Sequence, residues 1–201
     1  MNRAPVHGAP GKIRIIGGQW RGRRLPVPPV EAVRPTADRV RETLFNWLAP
    51  RLPGARCLDL FAGTGVLGFE ALSRGAAAVT LVDSDPRVLR HLEDVRALLG
   101  AENSEVLGYD ARAWLAQREP APYDIIFVDP PFAAGLDEQI LALLAQHWVA
   151  ASGVVYLETP APPHIGPAWT CLKQGRTRQV VYTLLAPTPA SASANGEISS
   201  G

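Results

Sequence analysis

The chain has 201 residues, 47% of them apolar and 19% charged. That is enough apolar material for one globular core and too little charge for wholesale disorder. No apolar run approaches a membrane span, the first dozen residues lack a secretory-type hydrophobic stretch, and Cys57 and Cys171 form neither a disulfide framework nor metal-type spacing with the four histidines. A cytoplasmic, metal-free monomer of one domain is the expectation. The net charge of +1 conceals an asymmetry: residues 1–56 carry a balance of +8 and residues 57–201 a balance of −7. Ten of the eleven cations in the first segment are arginine, which grips phosphate bidentately and stacks on bases. A basic arm on an acidic body points to a polyanion partner.

Residues 1–11 have no periodicity and are expected to be disordered. Lys12 to Ile16 alternate polar and apolar before Gly17-Gly18, and residues 19–27 return as a second short strand. The hairpin gathers Arg14, Arg21, Arg23 and Arg24, and prolines 26, 28 and 29 end it. Thr36 is a plausible N-cap for a helix whose apolar stripe is Val40, Leu44, Trp47 and Leu48, with Arg39, Arg41 and Glu42 off the stripe. Pro50 and Pro53 stop it. Residues 12–55 therefore form a basic extension of hairpin and helix.

From residue 56 to 186 strands and helices alternate. Strands are expected at 56–61, 78–82, 104–109, 123–128 and 153–158, and helices at 66–74, 86–99, 111–118 and 136–148. Asp85-Pro86 reads as an N-cap followed by proline in the first turn, and Gly100 as the closing residue. Two last strands, 168–173 and 177–185, are joined by a turn at Gln174-Gly175-Arg176 and place one antiparallel strand in the sheet. Residues 187–201 read as a disordered tail. The β-α-β order demands a mostly parallel, Rossmann-like sheet with helices on both faces, and ligands in such sheets sit at the carboxyl ends of the strands.

The chemistry-bearing motifs fall at those ends. Asp59, Phe61, Ala62, Gly63, Thr64, Gly65 and Gly68 form a loop whose glycines satisfy G-x-G-x-x-G. Asp83, followed by Ser84, ends the second strand and can accept from both ribose hydroxyls. Asp85 is its rival, better read as a cap. A dinucleotide and S-adenosylmethionine both fit such a loop, but Asp59 repels a pyrophosphate and suits an ammonium group. Asp110 either accepts from the adenine amine, with the Ala111 amide donating to the ring, or caps the next helix. Asp129-Pro130-Pro131-Phe132 ends the fourth strand. Two prolines remove two donors, so the Asp129 carboxylate and the Pro130 carbonyl present acceptors suited to an NH2 group, with Phe132 stacking on a flat ring. Accepting both N–H protons frees the lone pair of a base amine for attack on a sulfonium methyl.

These blocks resemble the RsmD family of bacterial 16S rRNA (guanine-N2)-methyltransferases. The resemblance runs over about residues 12–185 and rests on RIIGGQWRGRRLPVP at 14–28, RPTADRVRETLFNWLAP at 34–50, DLFAGTGVLGFEALSRGA at 59–76 and FVDPPF at 127–132. It implies a class I methyltransferase fold, S-adenosylmethionine as donor, and N2 of guanine 966 in the 30S subunit as acceptor. It also implies that the hairpin at 13–27 and the segment around Arg34 to Arg41, with Arg34 and Arg39 as its RNA contacts, face rRNA and the methionine end of the cofactor. Asp83 stands where many members carry Glu. The alternatives are a DNA or other RNA amino-methyltransferase, an NAD-dependent oxidoreductase, and a non-catalytic RNA-binding assembly factor. The oxidoreductase reading lacks a recommended histidine, since all four lie outside the strand-end motifs.

Overall fold

A computed structural model of the protein describes residues 12–28, 38–131 and 135–189. Thr36, Arg34 and Phe132 lie outside the described residues. A two-stranded antiparallel hairpin, β1 (Lys12–Arg14) and β2 (Arg24–Pro26), precedes α1 (Asp38–Leu48). Then follow β3 (Arg56–Asp59), α2 (Val66–Ser73), β4 (Ala78–Asp83), α3 (Pro86–Leu99), β5 (Ser104–Gly108), α4 (Ala111–Gln117) and β6 (Tyr123–Val128). The chain finishes with α5 (Leu136–Leu144), β7 (Val149–Thr159), β8 (Trp169–Arg176) and β9 (Val181–Pro187). The seven-stranded sheet has the order β5-β4-β3-β6-β7-β9-β8, parallel except for β9. β6 returns to the other side of β3, so the order reverses between these two strands, and the crevice opens at their carboxyl ends.

Strand alternation divides the core. Cys57, Leu81, Ile125, Phe127 and Tyr156 face α1, α2 and α3, while Leu58, Val82, Ile126, Val128 and Leu157 face α4 and α5. Both faces of β6 are buried, which is why its sequence is almost continuously apolar. The capping of α3 is as its sequence predicts: Asp85 accepts from the Arg87 N–H at 2.8 Å, Pro86 opens the helix, and Gly100 closes it in the left-handed region.

Four local expectations differ. Gly17-Gly18 is not a tight reversal, because the connection runs from Ile15 to Arg23. Its glycines permit close approach to α2: a Cβ on Gly18, whose φ is +74°, would run into the Ser73 carbonyl. The last turn falls at Thr177–Val180, where the Thr177 N–H donates to the Val180 carbonyl at 2.8 Å. Gly175 lies within β8 instead, because the Tyr182 ring of β9 occupies the place of its Cβ. α5 stops at Leu144, since His147 adopts a left-handed φ of 67° and Trp148 turns into the core. β7 starts at Val149, four residues early, with a register irregularity that lets it pair with Tyr123 before Gly153 passes close to the Tyr123 carbonyl.

The largest departure is Arg41. It is 0% exposed rather than off the buried face of α1. Its guanidinium donates to the Arg14 carbonyl at 3.0 Å, pairs with Asp38, and lies 3.8 Å from the Glu70 carboxylate, which is also 0% exposed. Glu70 in turn accepts from the Ile16 and Gly17 N–H groups at 2.7 Å each and from Arg74 Nε at 2.7 Å. Removing one partner of a buried, hydrogen-bonded ion pair leaves the other charge unpaid. Glu70→Ala is therefore expected to cost about 3–5 kcal/mol in urea unfolding, and to release residues 12–28 to limited proteolysis before the sheet unfolds.

Candidate active site

The loop between β3 and α2 is strapped from three sides. The Ala62 N–H donates to the Val82 carbonyl at 3.0 Å, tying the loop to β4. Gly63 and Gly65 take positive φ, 50° and 73°, which their missing side chains allow. Thr64 Oγ1 accepts from the Val66 N–H at 3.3 Å. Behind the loop, Asp59 is 2% exposed and accepts from the Gly68 N–H at 3.1 Å, satisfying an orphan donor in the first turn of α2. Burial pushes the Asp59 carboxyl up to about 7, with the Asp83 charge adding to the rise and the Gly68 hydrogen bond opposing it. Gly68 is a packing glycine, because a Cβ there would meet Leu81 and Val79 of β4.

Asp83, half-buried at the end of β4, accepts from the Gly63 N–H through one oxygen and from the Asp85 N–H through the other, each at 3.0 Å. Ser84 beside it is exposed. Asp85 is occupied as the α3 cap, and the Arg87 guanidinium, 2.6 Å away, holds it at about 2. Asp110 caps α4 by accepting from the Ala113 N–H at 3.0 Å, with Ala111 buried behind it. Phe61 is half-buried at the start of the loop. Across the crevice, Asp129 and Pro130 follow the buried end of β6, Asp129 half-buried and Pro130 buried, with Pro131 exposed. The structure thus brings Asp59, the glycine loop, Asp83 and Asp129 to the carboxyl ends of β3, β4 and β6.

The predicted basic group is partly separated from this crevice. Arg14 and Arg24 face each other across the hairpin, and Arg14 lies 3.7 Å from Asp38. Arg21 and Arg23 are exposed in the connection, which packs on the C-terminal end of α2: the Gln19 N–H donates to the Ser73 carbonyl, and the Trp20 N–H to Ser73 Oγ. Arg23 donates to the Leu98 carbonyl near the C-terminus of α3 at 3.1 Å. Both helices run down from the carboxyl edge of the sheet, so the hairpin tip stands at its amino edge. The expectation that Arg21 and Arg23 face the methionine end of a cofactor is corrected by that placement. Arg39 is exposed near the start of α1.

Sequence reasoning missed three contributors. His91, set aside as outside the motifs, is buried on α3 with Nε2 3.4 Å from the Thr64 carbonyl, and burial lowers its affinity for a proton. Its place beside the apolar stripe of α3 was the available signal. Tyr156 and Glu158 of β7 are buried together, the Tyr156 O–H donating to Glu158 at 2.7 Å. A lone glutamate closing the apolar run VVYLE was the signal there.

The sheet order, the single antiparallel strand and the glycine loop at the switch point define a class I methyltransferase. Two solved structures share the fold at high similarity. A chain from Escherichia coli, provisionally named methyltransferase yhhF, superposes with a TM-score of 0.82 at 48% identity, covering 88% of this chain and 98% of that one. A methylase of provisional assignment from Haemophilus influenzae, HI0767, gives 0.76 at 42% identity, covering 87% and 98%. The family model described as conserved hypothetical protein 95 matches residues 13–186. Ribosomal RNA small subunit methyltransferase D of Escherichia coli K12 is 47% identical over 186 residues, 90% of this chain and 93% of that protein. Its Haemophilus influenzae counterpart is 44% identical over 190 residues, 92% and 98% of the two chains. The chain belongs to the ribosomal RNA small subunit methyltransferase D family.

The raised Asp59 gives a pH signature. Between its ordinary value of 3.8 and about 7, the unfolded chain releases a proton that the folded chain keeps. Its contribution to stability is thus full below pH 3.8 and lost as the pH rises to 7. Asp59→Asn removes this loss. Its stability relative to the native chain, from guanidinium unfolding, is expected to climb between pH 4 and pH 7, on the order of 1 kcal/mol per pH unit, and to level off above.

Proposed function

We propose that the protein transfers the sulfonium methyl of S-adenosylmethionine to N2 of guanine 966 of 16S rRNA, acting as a cytoplasmic monomer on the 30S subunit. The observation that carries this reading is the convergence, at the switch point, of the β3 loop held by Asp59 and Asp83 with the acceptor-rich Asp129-Pro130 turn of the adjacent strand. The names of the relatives supply the rRNA, and the basic extension suits a polyanion.

The residues fit the donor. S-adenosylmethionine supplies an electrophilic methyl and carries an ammonium group and two ribose hydroxyls. Each oxygen of Asp83 spends one lone pair on a backbone N–H and retains another for a ribose hydroxyl. Asp59, raised to about 7 by burial, stands under the loop for the ammonium group, whose positive charge favours its ionised form and which reaches it through water because the carboxylate is almost sealed. Phe61, Ala62, Thr64 and Gly65 shape the loop, while Ser84 lies beside the ribose. Asp110 retains an oxygen for the adenine amine while capping α4, and the Ala111 amide faces the ring. Asp129 and the Pro130 carbonyl accept the two hydrogens of N2, Pro131 stiffens the turn, and Phe132 stacks on the base. The positioned amine then attacks in line, which asks mainly for orientation and electrostatics. Arg14, Arg21, Arg24, Arg34 and Arg39 are the phosphate contacts of this reading, with Arg23 divided between phosphate and α3.

The test is methyl transfer from labelled S-adenosylmethionine to unmodified 30S particles, free 16S rRNA and duplex DNA, with the product nucleoside identified by mass. N2-methylguanosine arising chiefly in 30S is the expected result, and label confined to DNA would overturn the reading. Asp129→Ala is expected to lose turnover by a hundredfold or more, as about 3 kcal/mol of transition-state stabilisation implies, while still binding the donor. Asp83→Ala is expected to weaken donor binding by about 1.5–3 kcal/mol in calorimetry; an unchanged affinity would remove it from the site.

A further inference from the structure

The amine clamp of Asp129 and Pro130 takes any exocyclic amine and does not select a base. The adjacent strand carries a group that does. In the register of β6 and β7, Phe127 pairs with Tyr156 and Val128 with Leu157. The ladder ends with that pair, so the next residues, Asp129 just past β6 and Glu158 of β7, follow from neighbouring positions. Alternation in β7 places Glu158 on the face of Tyr156, and the Asp129 charge acts on the Tyr156 hydroxyl from the end of β6. On its other side Glu158 pairs with Tyr182 of β9.

Glu158 is 6% exposed. One of its oxygens accepts the Tyr156 hydroxyl at 2.7 Å, and among the described residues the other has no hydrogen bond. The buried polar atoms without a hydrogen bond among the described residues are Arg96 Nε and Trp114 Nε1, so the idle Glu158 oxygen is not sealed but reaches the open end of the strand. A carboxylate this desolvated still calls for a donor there, and one from outside the chain can reach it next to the amine clamp.

Among the amine-bearing bases, guanine meets that need. Its N2 amine is flanked by a ring N–H at N1, whereas the amines of adenine and cytosine are each flanked by a bare ring nitrogen that accepts. A carboxylate beside the clamp attracts the first and repels the others. We propose that Glu158 is a specificity-determining residue whose idle oxygen accepts the N1–H of the target guanine while Asp129 and Pro130 hold N2, and that Tyr156 is its positioning residue. The inference rests on the guanine-N2 reading above. Burial raises the Glu158 carboxyl and the Tyr156 hydrogen bond draws it back toward the ionised form. A donor arriving at the idle oxygen draws it further in the same direction.

The test uses 30S particles reconstituted with 16S rRNA carrying either guanosine or 2-aminopurine at the target position. 2-Aminopurine keeps the N2 amine but has a bare N1. Single-turnover transfer is measured for the native protein and for Glu158→Gln, which preserves the shape of the side chain and a partner for Tyr156. The native protein is expected to prefer guanosine by about 10–100-fold, the worth of one good base contact. In Glu158→Gln that preference is expected to fall at least about tenfold on the same scale, through a slower guanosine rate, with donor affinity unchanged in calorimetry. A preference equal to the native one within about twofold overturns the proposal. If Glu158→Gln fails to fold, Tyr156→Phe carries the test, with a smaller loss of preference expected and an unchanged preference overturning it. A native protein that methylates no guanosine in any particle defeats the guanine-N2 reading itself and this inference with it, a result distinct from methylation with unchanged preference.

Discussion

The Glu70 carboxylate is the point on which the parts of this molecule are registered to one another. It is sealed from water and receives two backbone N–H groups from the hairpin connection, the Nε of Arg74 and the nearby guanidinium of Arg41. A buried ion pair persists only when its remaining lone pairs and protons are satisfied, because desolvating each ion costs several kcal/mol. Here the satisfaction comes from three separate stretches of chain: the hairpin, α1 and α2 itself. None can shift without exposing a charge to apolar surroundings. Glu70 also lies on the helix whose first turn is held by Asp59. One short, wholly buried helix is therefore gripped at its N-terminal end by the strand below the glycine loop and along its length by the basic extension. The orientation of the extension and the shape of the loop follow from the same rigid body.

The carboxyl edge of the sheet gathers acid in a way that stability alone does not favour. Asp59 and Asp83 close β3 and β4, Asp129 follows β6 and Glu158 is the last residue but one of β7, and two of them, Asp59 and Glu158, are pushed up by burial. Such an edge repels a pyrophosphate and welcomes a sulfonium, an ammonium or an N–H edge. The same edge disfavours a polyanion, and eleven of the twenty Lys and Arg residues fall in the first 56 positions against three Asp and Glu. The division of charge seen along the sequence, +8 in the first 56 residues and −7 in the remainder, becomes a division in space between an acidic crevice and a basic surface.

What the sequence revealed and concealed follows from the range of the forces involved. β6 and the capped α3 are set by neighbours within about ten residues, and the glycine loop announces itself by its own spacing although Val82 and Asp83 hold it from twenty residues away, so all three are legible in periodicity, caps and motif. The burial of Arg41 depends on Glu70 twenty-nine positions away, and nothing in the helical pattern of α1 distinguishes Arg41 from the exposed Arg39. Gly175 reads as a turn until β9 lays the Tyr182 ring on it. His91 lies six residues beyond the Asp85 cap, outside the strand-end motifs, and yet touches the loop, because α3 packs beside it. Asp59, Asp83 and Asp129, singled out by type and spacing, lie together at strand ends because the parallel order puts those ends on one edge. Tyr156 and Glu158 were not singled out, because strand order is invisible to local pattern.

The extension carries an internal repulsion that bears on what it binds. Arg14 and Arg24 occupy directly opposed positions of a three-residue antiparallel pair, and like charges so placed are destabilising. Asp38 offsets Arg14 at 3.7 Å, but among the described residues Arg24 has no counter-charge. A hairpin this short has little intrinsic stability. It is held by burying Ile13, Ile15 and Leu25 and by the bonds to α2, not by its own ladder. Replacing either arginine by a neutral residue would therefore relieve strain in the free protein. A phosphate between the two guanidiniums relieves the same repulsion and gains charge-assisted hydrogen bonds as well. The arrangement costs stability in isolation, and a polyanion held between the two guanidiniums would return it.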